Sequence, residues 1–264
     1  MYQANLRDVI TAPNATQYKK RRLEAGISKP SIFLGFPTHS TLGVPVCFRL
    51  DIMHLGSLNL PDILINLWRG TLDCDKGDSR SSWDWAVLQG DTWKSHGKVI
   101  AAATPHLPSS FDCPPRNPAE KINSSYKAWE YLMYLFGLGP GIFYNVLPDK
   151  YWRNFCKLVF GFCIINQYKI QSVNLCHTHQ TLLEFVEEFK HLYYQRCVDQ
   201  LHFIHQSIHA VTHFAPETVR IGPGICSLQW KLRGGNPATI QYLHKSLTVR
   251  PPSFTNKYTQ SYGA

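Results

Sequence analysis

The sequence lacks a long apolar run and therefore offers no segment that would cross a bilayer as a helix. The longest uninterrupted apolar stretch, residues 158–165, includes a glycine, whereas a spanning helix needs about 20 residues. The first residues, MYQANLRDV, also lack the apolar core of a signal peptide. These absences predict an intracellular protein with no membrane partner.

Cysteine pairs with the spacing of a metal or redox motif are missing as well. The eight cysteines are scattered and none belongs to a C-x-x-C pair. We therefore expect neither a zinc ribbon nor a disulfide framework, and we interpret most cysteines as small buried side chains. GLGPG, residues 137–141, carries no Lys-Ser or Lys-Thr pair, so we interpret it as a helix terminator rather than a phosphate-binding loop.

What the sequence does contain is apolar residues in quantity and an excess of cations. Its 264 residues are 44% hydrophobic and 13% aromatic, which is enough for a substantial core in one large domain or two small ones. Lys and Arg number 27 against 18 Asp and Glu, giving a net charge of +9. This balance favours a polyanionic partner such as nucleic acid.

Helical periodicity dominates and predicts a mainly α fold with few strands. In the clearest case, residues 60–68, Pro61 suits the first helical turn and Gly70 ends the helix. Other predicted helices are residues 14–26, a segment that starts at 124 and is closed by GLGPG, residues 152–162, 182–193, and 200–214 before Pro216. Residues 44–50 form the one predicted strand, a polar lead precedes residue 14, and residues 71–123 are expected to be a long connection anchored by Trp83, Trp85 and Trp93.

Two acidic positions are candidates for a metal site. Asp51 and His54 lie where the predicted strand gives way to a helix, and Glu130 lies in an aromatic-rich helix. A carboxylate in apolar surroundings needs a proton or a cation, and two or three carboxylates can hold divalent ions for phosphoryl transfer. The alternative is that Asp51 and His54 cap the next segment and that Glu130 is a half-exposed partner of Lys127.

Four histidines form a second candidate site. His202, His205, His209 and His213 fall three, four and four residues apart, which places them along one side of a predicted helix. Two imidazoles one turn apart can chelate zinc or copper. Packed or surface histidines are the alternative interpretation, because apolar residues interleave with the stripe.

Four consecutive cations, Lys19, Lys20, Arg21 and Arg22, lie on the predicted N-terminal helix. Such a run can contact DNA phosphates or act as a nuclear import signal. It can equally be the solvated face of a surface helix.

Five long motifs between residues 5 and 230 resemble fungal transposases of the Plavaka type, which are related to the CACTA-type and Kyakuja-Dileera-Zisupton groups. The motifs are DIMHLGSLNLPDILINLWRG, WDWAVL, PPRNPAEKINSSYKAWEYLMYLFGLGPGIFY, VLPDKYWRNFCKLV and HFIHQSIHAVTH. The resemblance implies nuclear DNA transposition by an RNase H-like fold. It also implies a magnesium-dependent site of three carboxylates, with a helical insertion before the last acid.

Carried over by position, the resemblance assigns catalytic roles to three residues. Asp51 and His54 match the family's D-x-x-H signature, and Glu130, in KAWEYLMYL, matches the third acid. Asp51 is either a Mg²⁺ ligand together with Glu130 or a signature residue beside a catalytic aspartate further upstream. The family's earlier aspartates would precede Met1, and the sequence departs from the family pattern after Trp230.

These observations predict three regions and a transposon-derived function. Residues 1–43 are a basic helix and extended linker, residues 44–230 are the late catalytic region with its helical insertion, and residues 231–264 are a basic, poorly ordered tail. We expect a transposase fragment that does not cut or join DNA alone. The alternatives are a non-catalytic DNA-binding module and a structural metal-binding protein that uses the stripe from His202 to His213.

Overall fold

The described residues of the computed structural model are helical, as the sequence predicts. They comprise residues 2–37, 39–44, 46–72, 80–107, 114–124, 126–195, 203 and 205–224, and no strand occurs among them. The chain divides into two compact units, residues 1–49 and residues 50–264. The predicted boundary at 230/231 and the predicted tail lie outside the described residues.

The described residues of the first unit form two helices and a short 3₁₀ turn: α1, Tyr2–Ile10, α2, Ala15–Ala25, and Ile32–Gly35. The Asn14 side chain accepts a hydrogen bond from the Gln17 N–H at 2.9 Å and starts α2, and Gly26 ends it at a φ of 65°. Both ends of α2 are therefore where the sequence places them. The polar lead is itself α1, which buries Leu6 and Val9.

The predicted strand at residues 44–50 is wrong. None of its described residues is in a strand: residues 44, 46 and 47 lie in a turn, and the Cys47 N–H donates to the Gly43 carbonyl oxygen at 2.8 Å. Gly43 has a φ of 74°, a left-handed conformation that turns the chain. An apolar run becomes a strand only where another strand accepts its ladder hydrogen bonds, and Pro45 has no N–H to offer to one.

The second unit is a stack of helices joined by short turns. The α-helices among its described residues are α3, Ile52–His54; α4, Leu60–Arg69; α5, Gly90–Ala103; α6, Pro118–Lys121; α7, Ala128–Leu132; α8, Gly139–Ile142; α9, Asp149–Ile165; α10, Ser172–Phe189; α11, Gln206–Ala210; and α12, Phe214–Ile221. Three wide π-helical turns occur among the described residues. Leu55–Asn59 links α3 to α4, Met133–Leu138 links α7 to α8, and Lys190–Tyr194 extends α10. Short 3₁₀ turns are Arg80–Ser82, Thr104–His106 and Val211–His213.

The centre of the core is α4, which the sequence predicts almost to the residue. It begins with Pro61 in its first turn and ends at Gly70, whose φ is 64°. Trp68 is fully buried, and its ring lies 4.7 Å from that of Phe143 and 5.2 Å from that of Phe155, measured between centroids. Edge-on and tilted contacts of this kind stabilise aromatic cores beyond the area that they bury.

Residues 71–123 contain more structure than predicted. The 14-residue helix α5 buries Trp93, His96, Gly97 and Ile100, a spacing of three, one and three that marks one helical face. Glycine and serine in this segment obscured that periodicity. Trp83, Trp85 and Trp93 are all buried, so the expectation that tryptophans anchor the segment is confirmed.

GLGPG does not end its helix, contrary to the sequence interpretation. Helical geometry continues through Pro140 to Ile142, and the Phe143 N–H donates to the Gly139 carbonyl oxygen at 3.0 Å. A proline inside a helix lacks the N–H for the preceding turn, and its ring clashes with the carbonyl four residues earlier. Here that preceding turn is the wide π segment Met133–Leu138, which gives the ring room.

The final predicted helix is displaced along the chain. It begins at Gln206 rather than residue 200, and Pro216 lies inside α12 rather than beyond its end. Pro216 is the third residue of α12, where the missing N–H would have little to bond to within the helix. The prediction failed because a proline near a helix start was interpreted as a stop.

Candidate functional site

Asp51 and His54 form an acid and imidazole pair at the start of α3. One carboxylate oxygen of Asp51 accepts from the His54 backbone N–H at 3.1 Å, and the other lies 2.6 Å from His54 Nδ1. The two side chains are 40% and 38% exposed. Partial burial raises the pKa of Asp51, but the hydrogen bonds from His54 outweigh this and lower it overall. The interpretation of Asp51 as a helix cap is therefore confirmed.

Glu217 on α12 holds the backbone immediately before this pair, a role that no pattern in the sequence predicts. Its carboxylate accepts from the Leu50 N–H at 3.3 Å and from two Arg220 nitrogens at 2.9 and 2.7 Å. The hydrogen bonds from Arg220 lower the pKa of Glu217. A partner 167 residues away leaves no local signal in the sequence.

Glu130 is fully buried and bound to Arg116. Its Oε1 accepts from the Arg116 backbone N–H at 3.1 Å and from Arg116 Nε at 2.7 Å. Its Oε2 accepts from an Arg116 terminal nitrogen at 2.6 Å and from the Lys127 N–H at 2.8 Å. Burial raises the pKa of Glu130, but these donors more than compensate and lower it overall. The predicted half-exposed pairing with Lys127 is corrected: the side chain is buried and contacts the Lys127 backbone.

Glu130 in this arrangement does not fit a Mg²⁺ ligand. A carboxylate has about four acceptor positions, and four protein N–H groups occupy those of Glu130. In the described part of the chain, no three His, Cys, Asp or Glu side chains gather closely enough to hold a metal ion. The Asp51 carboxylate is bound to His54 and to the Met53 backbone N–H, and its side chain remains 40% exposed. The assignment of Asp51, His54 and Glu130 as catalytic residues stays a prediction.

The four cations of α2 have different environments. Lys19 and Lys20 are exposed, and Lys20 approaches Glu24 only at 3.9 Å between exposed atoms, a contact that contributes little. Arg21 instead pairs with Asp8 of α1 at 2.9 Å and donates to the Asp8 carbonyl oxygen at 2.8 Å. Arg21 therefore joins the two helices, whereas Lys19 and Lys20 are exposed and Arg22 is half-buried.

The predicted histidine stripe is only partly helical. His202 lies outside the described residues, and His205 precedes α11 with an extended backbone, at a φ of −79° and a ψ of 145°. His209 and His213 do share one face, and their Nε2 atoms are 3.4 Å apart. His205 instead lines an open groove of about 400 Å³ with Asp62, Tyr131 and others.

Comparison with known proteins identifies no relative. No family model, no curated protein and no solved structure matches the chain. Among the described helices, none is both long and apolar enough to cross a membrane. Fold and site together define a mainly α-helical, basic protein with a partly exposed Asp-His pair and a buried Arg-Glu pair.

Proposed function

We propose that this chain is part of a transposon-derived DNA transposase and does not cut or join DNA by itself. The resemblance of the D-x-x-H segment and its following motifs supports the ancestry, with residues 44–230 as the helical insertion and late portion of an RNase H-like region. One observation supports the proposed absence of DNA cleavage: protein N–H groups occupy the four acceptor positions of Glu130, which leaves none for a metal ion.

A nicking assay tests this proposal. Supercoiled plasmid is incubated with the full chain and Mg²⁺ or Mn²⁺, and we expect no nicked product above the level without protein. Asp51→Asn and Glu130→Gln variants serve as controls for contaminating nucleases. Nicking by the parent chain that either substitution abolishes, in protein with an unchanged circular dichroism spectrum, would refute the proposal.

DNA binding is the second candidate function, and the exposure of α2 supports it. The first unit carries seven Lys or Arg residues against two acidic ones. Lys19 and Lys20 project into solvent, and Arg21 braces α2 against α1 through Asp8. A helix that is held in place and carries exposed cations suits phosphate contacts, which supply most of the affinity in sequence-independent binding. The same run is proposed to act as a nuclear import signal.

A salt series measures this binding, with a matched control from another helix. Lys19→Ala/Lys20→Ala removes two exposed cations from α2, and Lys94→Ala/Lys98→Ala removes two from α5. Each phosphate contact contributes about 0.9 to the slope of log affinity against log salt. Fluorescence anisotropy with a labelled duplex gives the affinity at each salt concentration. For the α2 variant, the fall of log affinity with log salt should be less steep than for the parent chain by up to about 2. Equal slopes for both variants would exclude α2 as the DNA contact.

A further inference from the structure

We propose that His209 and His213 form a two-histidine chelate for an imidazole-binding transition ion such as Zn²⁺ or Cu²⁺. Their Nε2 atoms lie 3.4 Å apart, and their rings stand at 84° to each other with centroids separated by 5.1 Å. Two nitrogens bound to a tetrahedral ion at about 2.0 to 2.1 Å lie about 3.4 Å apart. The separation of the two nitrogens therefore already suits one ion between them.

The backbone that carries these rings is fixed by the core. Ile208, Val211 and Phe214, which alternate with the histidines, are at most 1% exposed. The Thr212 hydroxyl donates to the His209 carbonyl oxygen at 2.7 Å across the 3₁₀ turn. Because burial on one side holds the segment, metal binding would order little more than two side chains.

Solvent has access to the pair, and a counter-charge lies nearby. Both histidines are exposed, so water can complete the coordination of the ion. Glu217, one helical turn beyond His213, interacts electrostatically with that imidazole, although its oxygens are bound to Arg220 and to the Leu50 N–H. The proposed site thus has two protein ligands, and its remaining positions belong to water.

The chemistry of the ligands sets the preference among ions. Imidazole nitrogen suits Cu²⁺, Ni²⁺ and Zn²⁺, whereas Mg²⁺ prefers oxygen. Both rings must be neutral, with the second proton on Nδ1, so that each Nε2 lone pair faces the ion. The site is independent of the proposed function, which concerns DNA and the carboxylates.

Calorimetric titration of the full, metal-stripped chain with ZnCl₂, CuSO₄ and MgCl₂ tests the proposal. We expect Cu²⁺ to bind more tightly than Zn²⁺ and Mg²⁺ to give no heat at this site. His209→Ala and His213→Ala should each weaken Zn²⁺ binding by about tenfold or more. His106→Ala, which removes an exposed histidine from a different turn, is the matched control and should leave this binding unchanged.

A spectroscopic readout separates this site from other metal ligands of the chain. The electron paramagnetic resonance spectrum of one equivalent of bound Cu²⁺ should show coupling to two imidazole nitrogens, and His209→Ala/His213→Ala should remove that signal. Zn²⁺ affinity and Cu²⁺ coupling that persist unchanged in the double variant would overturn the proposal. Both histidines are on the surface, so circular dichroism should confirm that the variants fold.

Discussion

The indole N–H of Trp68 donates a hydrogen bond to the hydroxyl oxygen of Tyr193 at 2.9 Å in the interior of the second unit. Trp68 is fully buried and Tyr193 is 1% exposed, and 125 residues separate them in sequence. Burial raises the pKa of Tyr193 well above its ordinary value, so its hydroxyl keeps its proton. This contact ties α4 to the π-helical extension of α10.

Tyr193→Phe should therefore destabilise the protein by about 1 to 3 kcal/mol, because it leaves a buried indole N–H without its acceptor. Urea unfolding followed by tryptophan fluorescence measures the change. Tyr144→Phe removes a hydroxyl from a side chain that is 56% exposed and should change the free energy of unfolding by less than about 0.5 kcal/mol. Equal effects of the two substitutions would show that the Trp68 contact contributes nothing.

Glu130→Gln should lower the free energy of unfolding at neutral pH and make it depend less on pH in the acidic range. The substitution replaces one carboxylate oxygen, a hydrogen-bond acceptor, by an NH₂ group that faces the N–H groups of Arg116 or Lys127. Because two donors then face each other, the free energy of unfolding at neutral pH should fall by about 1 to 3 kcal/mol. The folded pKa of Glu130 lies below its ordinary 4.5, so its stabilisation is present above that pH and is lost as pH falls through the folded pKa.

The measurement is the free energy of unfolding at pH 7 and at several values below 4.5. The difference in the free energy of unfolding between the parent and Glu130→Gln should become smaller as the pH is lowered. Glu120→Gln, at an exposed position on α6, is the control and should follow the parent at every pH. A difference in unfolding free energy that stays constant down to pH 2 would contradict the lowered pKa of Glu130.

His96 should make stability depend on pH in a window above that of the carboxylates. Its ring stacks between those of Trp93 and Phe143, with centroid distances of 6.0 and 5.0 Å, and its Nε2 lies 3.0 Å from the Tyr134 hydroxyl. Burial lowers the pKa of His96 from 6.5 to about 4. Between these values the unfolded chain binds a proton that the folded chain does not, so stability falls as pH falls.

At pH 5.5 this effect should cost about 1 kcal/mol relative to pH 7. His96→Phe keeps an aromatic ring in the stack and removes the titrating group, so its unfolding free energy should change less between the two pH values. At pH 7 the free energy of unfolding of His96→Phe should be lower than that of the parent, because the Tyr134 hydroxyl loses its His96 partner. His106→Gln, on the surface, should retain the pH dependence of the parent.

Gly56 should not tolerate a side chain. A Cβ atom at this position would lie 2.1 Å from Cε2 of Phe162, and the Phe162 ring is stacked on Phe136 with 4.0 Å between centroids. A rigid ring held on its other face cannot withdraw easily, so Gly56→Ala should destabilise by about 1 to 3 kcal/mol. Gly141→Ala adds a Cβ to a helical position with nothing within 4 Å and should be neutral or stabilising. Thermal unfolding of both variants tests the difference.

The sequence alone determined the helical class and several helix ends. Asn14, Gly26 and Gly70 act on hydrogen bonds within about one turn of themselves, so their effects follow from neighbouring residues. The same holds for the cap that Asp51 supplies to His54. Periodicity likewise identified the buried face of α4, because each helical turn returns a residue to the same side.

Tertiary structure alone decided the rest, including the environment of each candidate site residue. Whether residues 44–50 pair as a strand depends on a partner strand, and whether Pro140 breaks a helix depends on the width of the turn before it. The pKa of a carboxylate depends on which donors folding brings within about 3 Å. Arg116 meets Glu130 across 14 residues and Glu217 meets Leu50 across 167, and no local pattern encodes those distances.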